Sequence, residues 1–202
     1  GTDLNSDREN AYRIFFNSFQ ESASRPKALL TAYFADLSLN APLLQSSPFK
    51  GLHLDLTQMS NYKKVIKLTP QIESYSLGII NGRNIWQEDL KKKINQIHKI
   101  SKLTAPRDVV ISPSCSMLHL PLDVRMETEL DPSVRYWLAF AEQKLENIAL
   151  LKTAVENEPS VEEYLKKNQN TIRERKSSGK VNLIKELPKF DSLPNEVVSR
   201  NA

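Results

Sequence analysis

Hydrophobic positions along this 202-residue chain switch repeatedly between two spacings. From Gly51 to Thr57 apolar and polar residues alternate strictly, the period of a strand with one face in a core. Ala28 to Phe34, Tyr75 to Ile80 and Asp108 to Ser112 read as three more strands. Between them the spacing lengthens to that of a helix. Ser6-Asp7-Arg8-Glu9 has the form of a capping box, and Ala11, Ile14, Phe15, Ser18 and Phe19 then share one face. Asn84 with Gln87 predicts a helix start ahead of Trp86, Leu90, Ile94 and Ile97. Asp131-Pro132 puts a capping carboxylate before a proline that fits the first helical position. It predicts one long helix from Pro132 to Val155, with Val134, Leu138, Ala141, Leu145 and Ile148 on one face.

Strand–helix alternation predicts an α/β fold of parallel βαβ units with right-handed crossovers, about four in number. Four units are too few to close an eight-stranded barrel, and they leave two strand edges bare. The pattern fits either an open four-stranded sheet or half of something larger. After Pro159 the composition turns polar and basic, and Ser177-Ser178-Gly179, Pro188 and Pro194 break it up. Residues 1–158 are therefore expected to form the strand–helix body. Residues 159–202 are expected to be a helical, basic segment leading to a linker.

Composition removes several classes of function. The formal net charge is +4, but acids and bases alternate, as in Glu162-Glu163 before Lys166-Lys167, so no continuous phosphate-binding stripe forms. Nucleic acid is not an expected partner. The single cysteine, Cys115, excludes an internal disulfide framework. There is no leader-like start and no 18-residue apolar run, which makes the cytoplasm the expected compartment and a membrane no expected partner. Five glycines supply no phosphate-cradling loop.

Three places hold candidate chemistry. His53, Asp55 and Thr57 share one face of their strand, opposite Leu52, Leu54 and Leu56. They read either as a metal or acid–base pair or as a buried His–Asp hydrogen bond that orients the core. Cys115 and His119 lie in the loop after the fourth strand. A thiol nucleophile needs a base, which His119 supplies only if the loop folds back; the plainer reading is a small buried thiol. Arg83 and Asn84 stand where a helix start would hold an anion, although capping alone explains Asn84.

Four blocks resemble the amino-terminal domain of cobalamin-independent methionine synthase. They are Gly51-Leu52-His53-Leu54-Asp55-Leu56, Leu77 to Trp86 (with Asn81-Gly82-Arg83-Asn84), Ser112-Pro113-Ser114-Cys115-Ser116-Met117-Leu118-His119, and Glu129 to Lys144. Their order and spacing are similar to the family's. The resemblance implies a (βα)4 half of a TIM-type barrel, with parallel strands and flanking helices. It implies a parent enzyme that transfers a methyl group from 5-methyltetrahydrofolate polyglutamate to homocysteine. The parent's zinc, which holds homocysteine as a thiolate, belongs to a carboxy-terminal domain missing here.

Laid on the family's catalytic zinc pattern, this chain offers Thr31 and Tyr33 for a His-x-Cys pair, Asp55 for a glutamate, and Cys115 for the last cysteine. The fragment is accordingly expected to bind no cofactor and to hold no catalytic or metal residue. His53, Arg83, Asn84, Ser114 and His119 are expected to face the cleft. Its expected role is as scaffold, with the parent's missing domain as partner, and the isolated chain is expected to self-associate. Two other readings stand beside this one. One is a stand-alone protein with a Cys115/His119 thiol site, and the other is an interaction module presenting Leu138 and Leu145.

Overall fold

The protein is described by a computed structural model that covers residues 4–21, 26–34 and 36–179. Four strands form one sheet: β1 (Leu29–Leu30), β2 (Gly51–Asp55), β3 (Ser74–Ile80) and β4 (Asp108–Pro113). They are all parallel, and their spatial order is their chain order, β1-β2-β3-β4. Among the described residues, seven α-helices flank them: α1 (Ser6–Glu21), α2 (Ala41–Leu44), α3 (Tyr62–Leu68), α4 (Leu90–Thr104), α5 (Pro132–Trp137), α6 (Ala141–Asn157) and α7 (Glu162–Ser177). This is the α/β arrangement of parallel βαβ units that the strand–helix alternation predicts, consistent with the partial TIM-type barrel that the resemblance implies. Among the described residues, no helix is long and apolar enough to cross a membrane.

The alternation in β2 decides which face is covered. Leu52 and Leu54, with Tyr75 and Leu77 at the same levels of β3, pack against Ala41, Leu44, Val65, Ile66 and Ile100. A second cluster joins Ile79 and Ile80 to Leu90, Ile94 and Ile97 of α4, Leu151 and Ala154 of α6, and Leu165 of α7. The other face carries mostly small and polar residues: Gly51, His53 and Asp55, then Ser74, Ser76 and Gly78, then Asp108 and Ser112, with exposed Val110 level with Ser76.

Three helix boundaries differ from expectation, each because a side chain or bridge satisfies backbone groups another way. In α1 the cap is Asn5, not Ser6, and its Oδ1 accepts the Arg8 N–H at 3.0 Å. The predicted helix at Asn84 starts at Leu90, capped by Asp89, whose carboxylate accepts from Lys92 N–H. Residues 84–89 stay non-helical because the backbone of Ile85 to Gln87 pairs elsewhere. Trp86 bridges Leu138 antiparallel, Ala139 N–H donates to Ile85 O at 2.7 Å, and Gln87 N–H donates to Trp137 O at 2.8 Å.

That bridge also splits the predicted long helix into α5 and α6. Leu138 is buried against Ile85 and Trp86, while Leu145 on α6 is exposed, so the two do not make one presented face. The predicted first strand shortens to Leu29–Leu30.

The segment after Pro159 begins with α7, which lies against α4 and α5 and buries Leu165 and Ile172. The expected linker, with Pro188 and Pro194, lies outside the described residues.

Gly78 is where two layers meet. A Cβ there would come 2.7 Å from His53 Nε2 and 2.8 Å from Ser114 Cα, and the latter is backbone. Gly78→Ala should therefore destabilise the fold by about 1–3 kcal/mol through overpacking. A urea midpoint equal to that of the unaltered protein would refute this.

Candidate functional site

The carboxyl ends of the four strands converge on one mouth, the end at which parallel barrels build their sites. His53 is buried on the small-residue face of β2. Its Nδ1 lies 2.9 Å from Ser76 Oγ and its Nε2 lies 3.2 Å from Ser114 O. A carbonyl only accepts, so Nε2 carries the hydrogen and Nδ1 accepts from Ser76. Ser76 Oγ is in turn 2.9 Å from Ser112 Oγ. Burial lowers the His53 pKa, opposed by the Ser114 carbonyl and by Asp55. The imidazole is thus neutral at pH 7, joining β2 to β3 and to the turn after β4.

Asp55 does not pair with His53. Its Oδ1 accepts from Thr57 N–H at 3.0 Å and from Thr57 Oγ1 at 2.6 Å, and its Oδ2 accepts Phe34 N–H at 3.3 Å. The carboxylate ties the exit of β1 to the exit of β2. Phe34 sits at φ 64°, the left-handed region, which a bulky side chain rarely adopts. This conformation holds its ring at the mouth. Arg83 lies 5.0 Å above the ring and His119 meets it edge-on at 5.6 Å. Tyr33 in turn meets His53 edge-on at 5.4 Å.

Cys115 and His119 are held apart by their surroundings. The thiol is buried against Gly82, where a Cβ would come 2.9 Å from Sγ, and its polar neighbours are Ser114 Oγ and Ser116 O. His119 is exposed on Phe34. Ser114 is fully buried, and its Oγ accepts Gly82 N–H at 3.1 Å. Asn84 Oδ1 accepts Trp86 N–H at 3.1 Å and opens no helix. Thr31 is exposed.

A zinc ion does not fit the residues at the four comparable positions. Asp55 is committed to three donors, the Cys115 thiol is packed under Gly82, and Thr31 and Tyr33 are poor ligands. Among the described residues, no group of three His, Cys, Asp or Glu side chains could hold a metal ion.

Sequence reasoning missed Phe34, Ser76 and Ser112. The serines had a usable signal, since each follows strand alternation onto the face that bears His53. It also missed Lys144, which is fully buried on α6. Its Nζ donates to Trp86 O at 3.1 Å and to Asn84 Oδ1 at 3.4 Å, and lies 3.7 Å from Glu88 Oε1. The same Glu88 oxygen accepts Asn81 N–H at 2.9 Å, and its other oxygen faces Lys93 at 3.4 Å. These bonds fix the loop that carries Arg83. Burial lowers the Lys144 pKa to about 8, with Glu88 opposing.

Comparison with known proteins places this geometry in a family. The family described as "Cobalamin-independent synthase, N-terminal domain" matches residues 1–105. A 5-methyltetrahydropteroyltriglutamate–homocysteine methyltransferase of Xylella fastidiosa (strain M23) is 34% identical over 200 residues, covering 98% of this chain and 26% of the relative. Relatives of the same description from Chelativorans sp. (strain BNC1) and Ralstonia pickettii (strain 12J) are 35% and 38% identical. They cover 89% and 79% of this chain, and 23% and 21% of their own lengths. The chain thus spans about a quarter of the relatives it matches.

Two titrations test the buried bases. The folded His53 pKa lies below the unfolded value of 6.5, so its contribution is fully present above pH 6.5 and is lost as pH falls through the folded value. Urea unfolding should show stability declining on acidification below 6.5, with a smaller decline in His53→Gln; equal slopes would count against the assignment. For Lys144 the folded pKa of about 8 lies below the unfolded 10.5. Between those values the folded chain holds fewer protons, so stability should rise with pH across that window. Lys144→Met should flatten the rise, and an unaltered profile would show that the ammonium is not desolvated.

Proposed function

Because this chain belongs to the cobalamin-independent methionine synthase family, as part of its amino-terminal domain, we propose that it serves as a scaffold half-barrel within a methyltransferase. The whole enzyme would transfer a methyl group from 5-methyltetrahydropteroyltriglutamate to homocysteine, giving methionine. Zinc would belong to a carboxy-terminal domain, where it would bind the homocysteine thiol and keep it a thiolate. This chain's own residues build one wall of a cleft. His53, Ser76 and Ser112 lock neighbouring strands, Asp55 fixes Phe34, and Arg83 and His119 flank its ring. Residues 159–202 would lead toward the next domain, and the compartment would be the cytoplasm. Alone, the chain would not transfer a methyl group, and it would self-associate through its bare sheet edges.

The observation that carries this reading is similarity to methyltransferases over 98% of the chain, joined to a mouth whose buried polar groups are spent on one another. A stand-alone thiol site is disfavoured by the burial of Cys115 away from His119.

The test is a segment exchange. This chain replaces the matching 200 residues of the Xylella fastidiosa enzyme, and methionine formation is followed from homocysteine and the methylated folate triglutamate. The hybrid should form methionine, and the 202-residue chain alone should not. A folded hybrid with no activity, or an active isolated chain, would overturn the proposal.

A further inference from the structure

Asn81–Gly82, directly after β3, is the only Asn–Gly pair in the sequence. An asparagine followed by glycine is the pairing most open to spontaneous deamidation, because no side chain obstructs the glycine nitrogen as it swings toward the asparagine carbonyl. We propose that this pair is a covalent modification site of the chain, and that the buried hydroxyl of Ser114 gates it.

The reaction needs only water as co-reactant. The Gly82 nitrogen gives its proton to solvent and attacks Asn81 Cγ. The N–Cγ bond forms, and the Cγ–Nδ2 bond breaks as Nδ2 takes a proton and leaves as ammonia. Water then opens the resulting cyclic imide at either carbonyl. Opening at Cγ gives aspartate; opening at the main-chain carbonyl gives isoaspartate, whose backbone runs through Cβ and Cγ.

The fold readies the electrophile and withholds the nucleophile. Asn81 Oδ1 accepts the Arg83 N–H at 2.8 Å, so a donor already stands where negative charge would develop on attack. Gly82, by contrast, is buried, and its N–H donates to Ser114 Oγ at 3.1 Å, out of reach of a base in solvent. Ser114 is itself held on both sides. Its N–H donates to Ile80 O at 2.8 Å, its carbonyl accepts from His53 Nε2 at 3.2 Å, and the residue is fully buried. Nor can a less labile residue replace the glycine without a shift of backbone. A Cβ at position 82 would come 2.9 Å from Cys115 Sγ and 3.0 Å from Cys115 O.

Conversion would reach the mouth. Asn81 N–H donates to Glu88 Oε1 at 2.9 Å, so a new carboxylate would stand beside Glu88, and isoaspartate would lengthen the chain just ahead of Arg83. The Arg83 guanidinium would lose its seat 5.0 Å above Phe34.

To test this, the 202-residue chain, folded or unfolded in urea, is incubated in mildly alkaline buffer. Replacement of the Asn81 amide by a carboxyl is followed by peptide mass spectrometry, and isoaspartate by enzymatic carboxyl methylation. Asn81 should convert ahead of every other asparagine in urea, and at least about tenfold more slowly in the folded chain. Ser114→Ala strands the buried Gly82 N–H and should speed conversion in the folded chain about tenfold, with folding checked by circular dichroism. In the unaltered chain, urea below the unfolding transition should raise Gly82 amide exchange and Asn81 conversion in step, which tests the gate without a variant. An Asn81 that survives in urea would overturn the site. Equal rates in folded and unfolded chains, a folded Ser114→Ala variant no faster than the unaltered chain, or amide exchange that rises without conversion would each overturn the gate.

Discussion

The buried imidazole of His53 is the joint on which the strand ends depend. One neutral ring spans three chain segments, accepting from a serine of β3 and donating to the carbonyl of Ser114 beyond β4. Gly78 makes room for it, because any side chain there would occupy the ring's position. The joint works only while uncharged. A protonated ring would present a second N–H to Ser76, which would then have to accept it and find another acceptor for its own hydrogen.

The same economy extends across the mouth. Among the described residues, no buried side-chain nitrogen or oxygen lacks a hydrogen-bond partner. Asp55 spends its carboxylate on backbone and hydroxyl donors, and Lys144 spends its ammonium on the Asn84–Glu88 loop. What remains to face outward is aromatic and cationic: Tyr33, Phe34, His119 and Arg83. Such a surface suits a wall against which a neighbour or substrate rests. Of the candidate groups for covalent chemistry, the Cys115 thiol is packed under Gly82, His53 and Asp55 are spent on hydrogen bonds, and His119 stands exposed on Phe34.

Much of the fold is legible in the residues, for a physical reason. The Leu52–Leu54–Leu56 alternation and the apolar spacing of α4 are local signals whose free energy is realised by burial on one face, so pattern and structure agree. The helix starts are less legible because capping residues are interchangeable in sequence. Asn84 and Asp89 are both good caps, and only the distant bridge to Leu138 decides that the helix waits for the second. That bridge is also what breaks the helix expected from Pro132 onward. In the site, the shared face of His53 and Asp55 is readable, whereas their separate partners are not, since Ser114 and Phe34 are distant in sequence. Phe34 carries no local sign of its left-handed backbone. The conformation is held by Asp55, 21 residues away.

The clamp that α7 places on the Gln87–Leu90 segment has a consequence for how the chain is made. Asn168 receives the Leu90 N–H and donates to Glu88 O across 78 and 80 residues, and Arg175 donates to Gln87 O across 88. On a ribosome, those backbone groups emerge long before their partners exist. The Leu90 N–H and the Glu88 and Gln87 carbonyls therefore stay with water through the synthesis of β4, α5 and α6, even after Trp86 has met Leu138 and Lys144 of α6 has gripped the Asn84–Glu88 loop. The segment is fastened from one side by α6 and from the other by the helix made after it, so a nascent chain that stops before α7 has its strands and its Lys144 contacts but leaves these three backbone groups solvated.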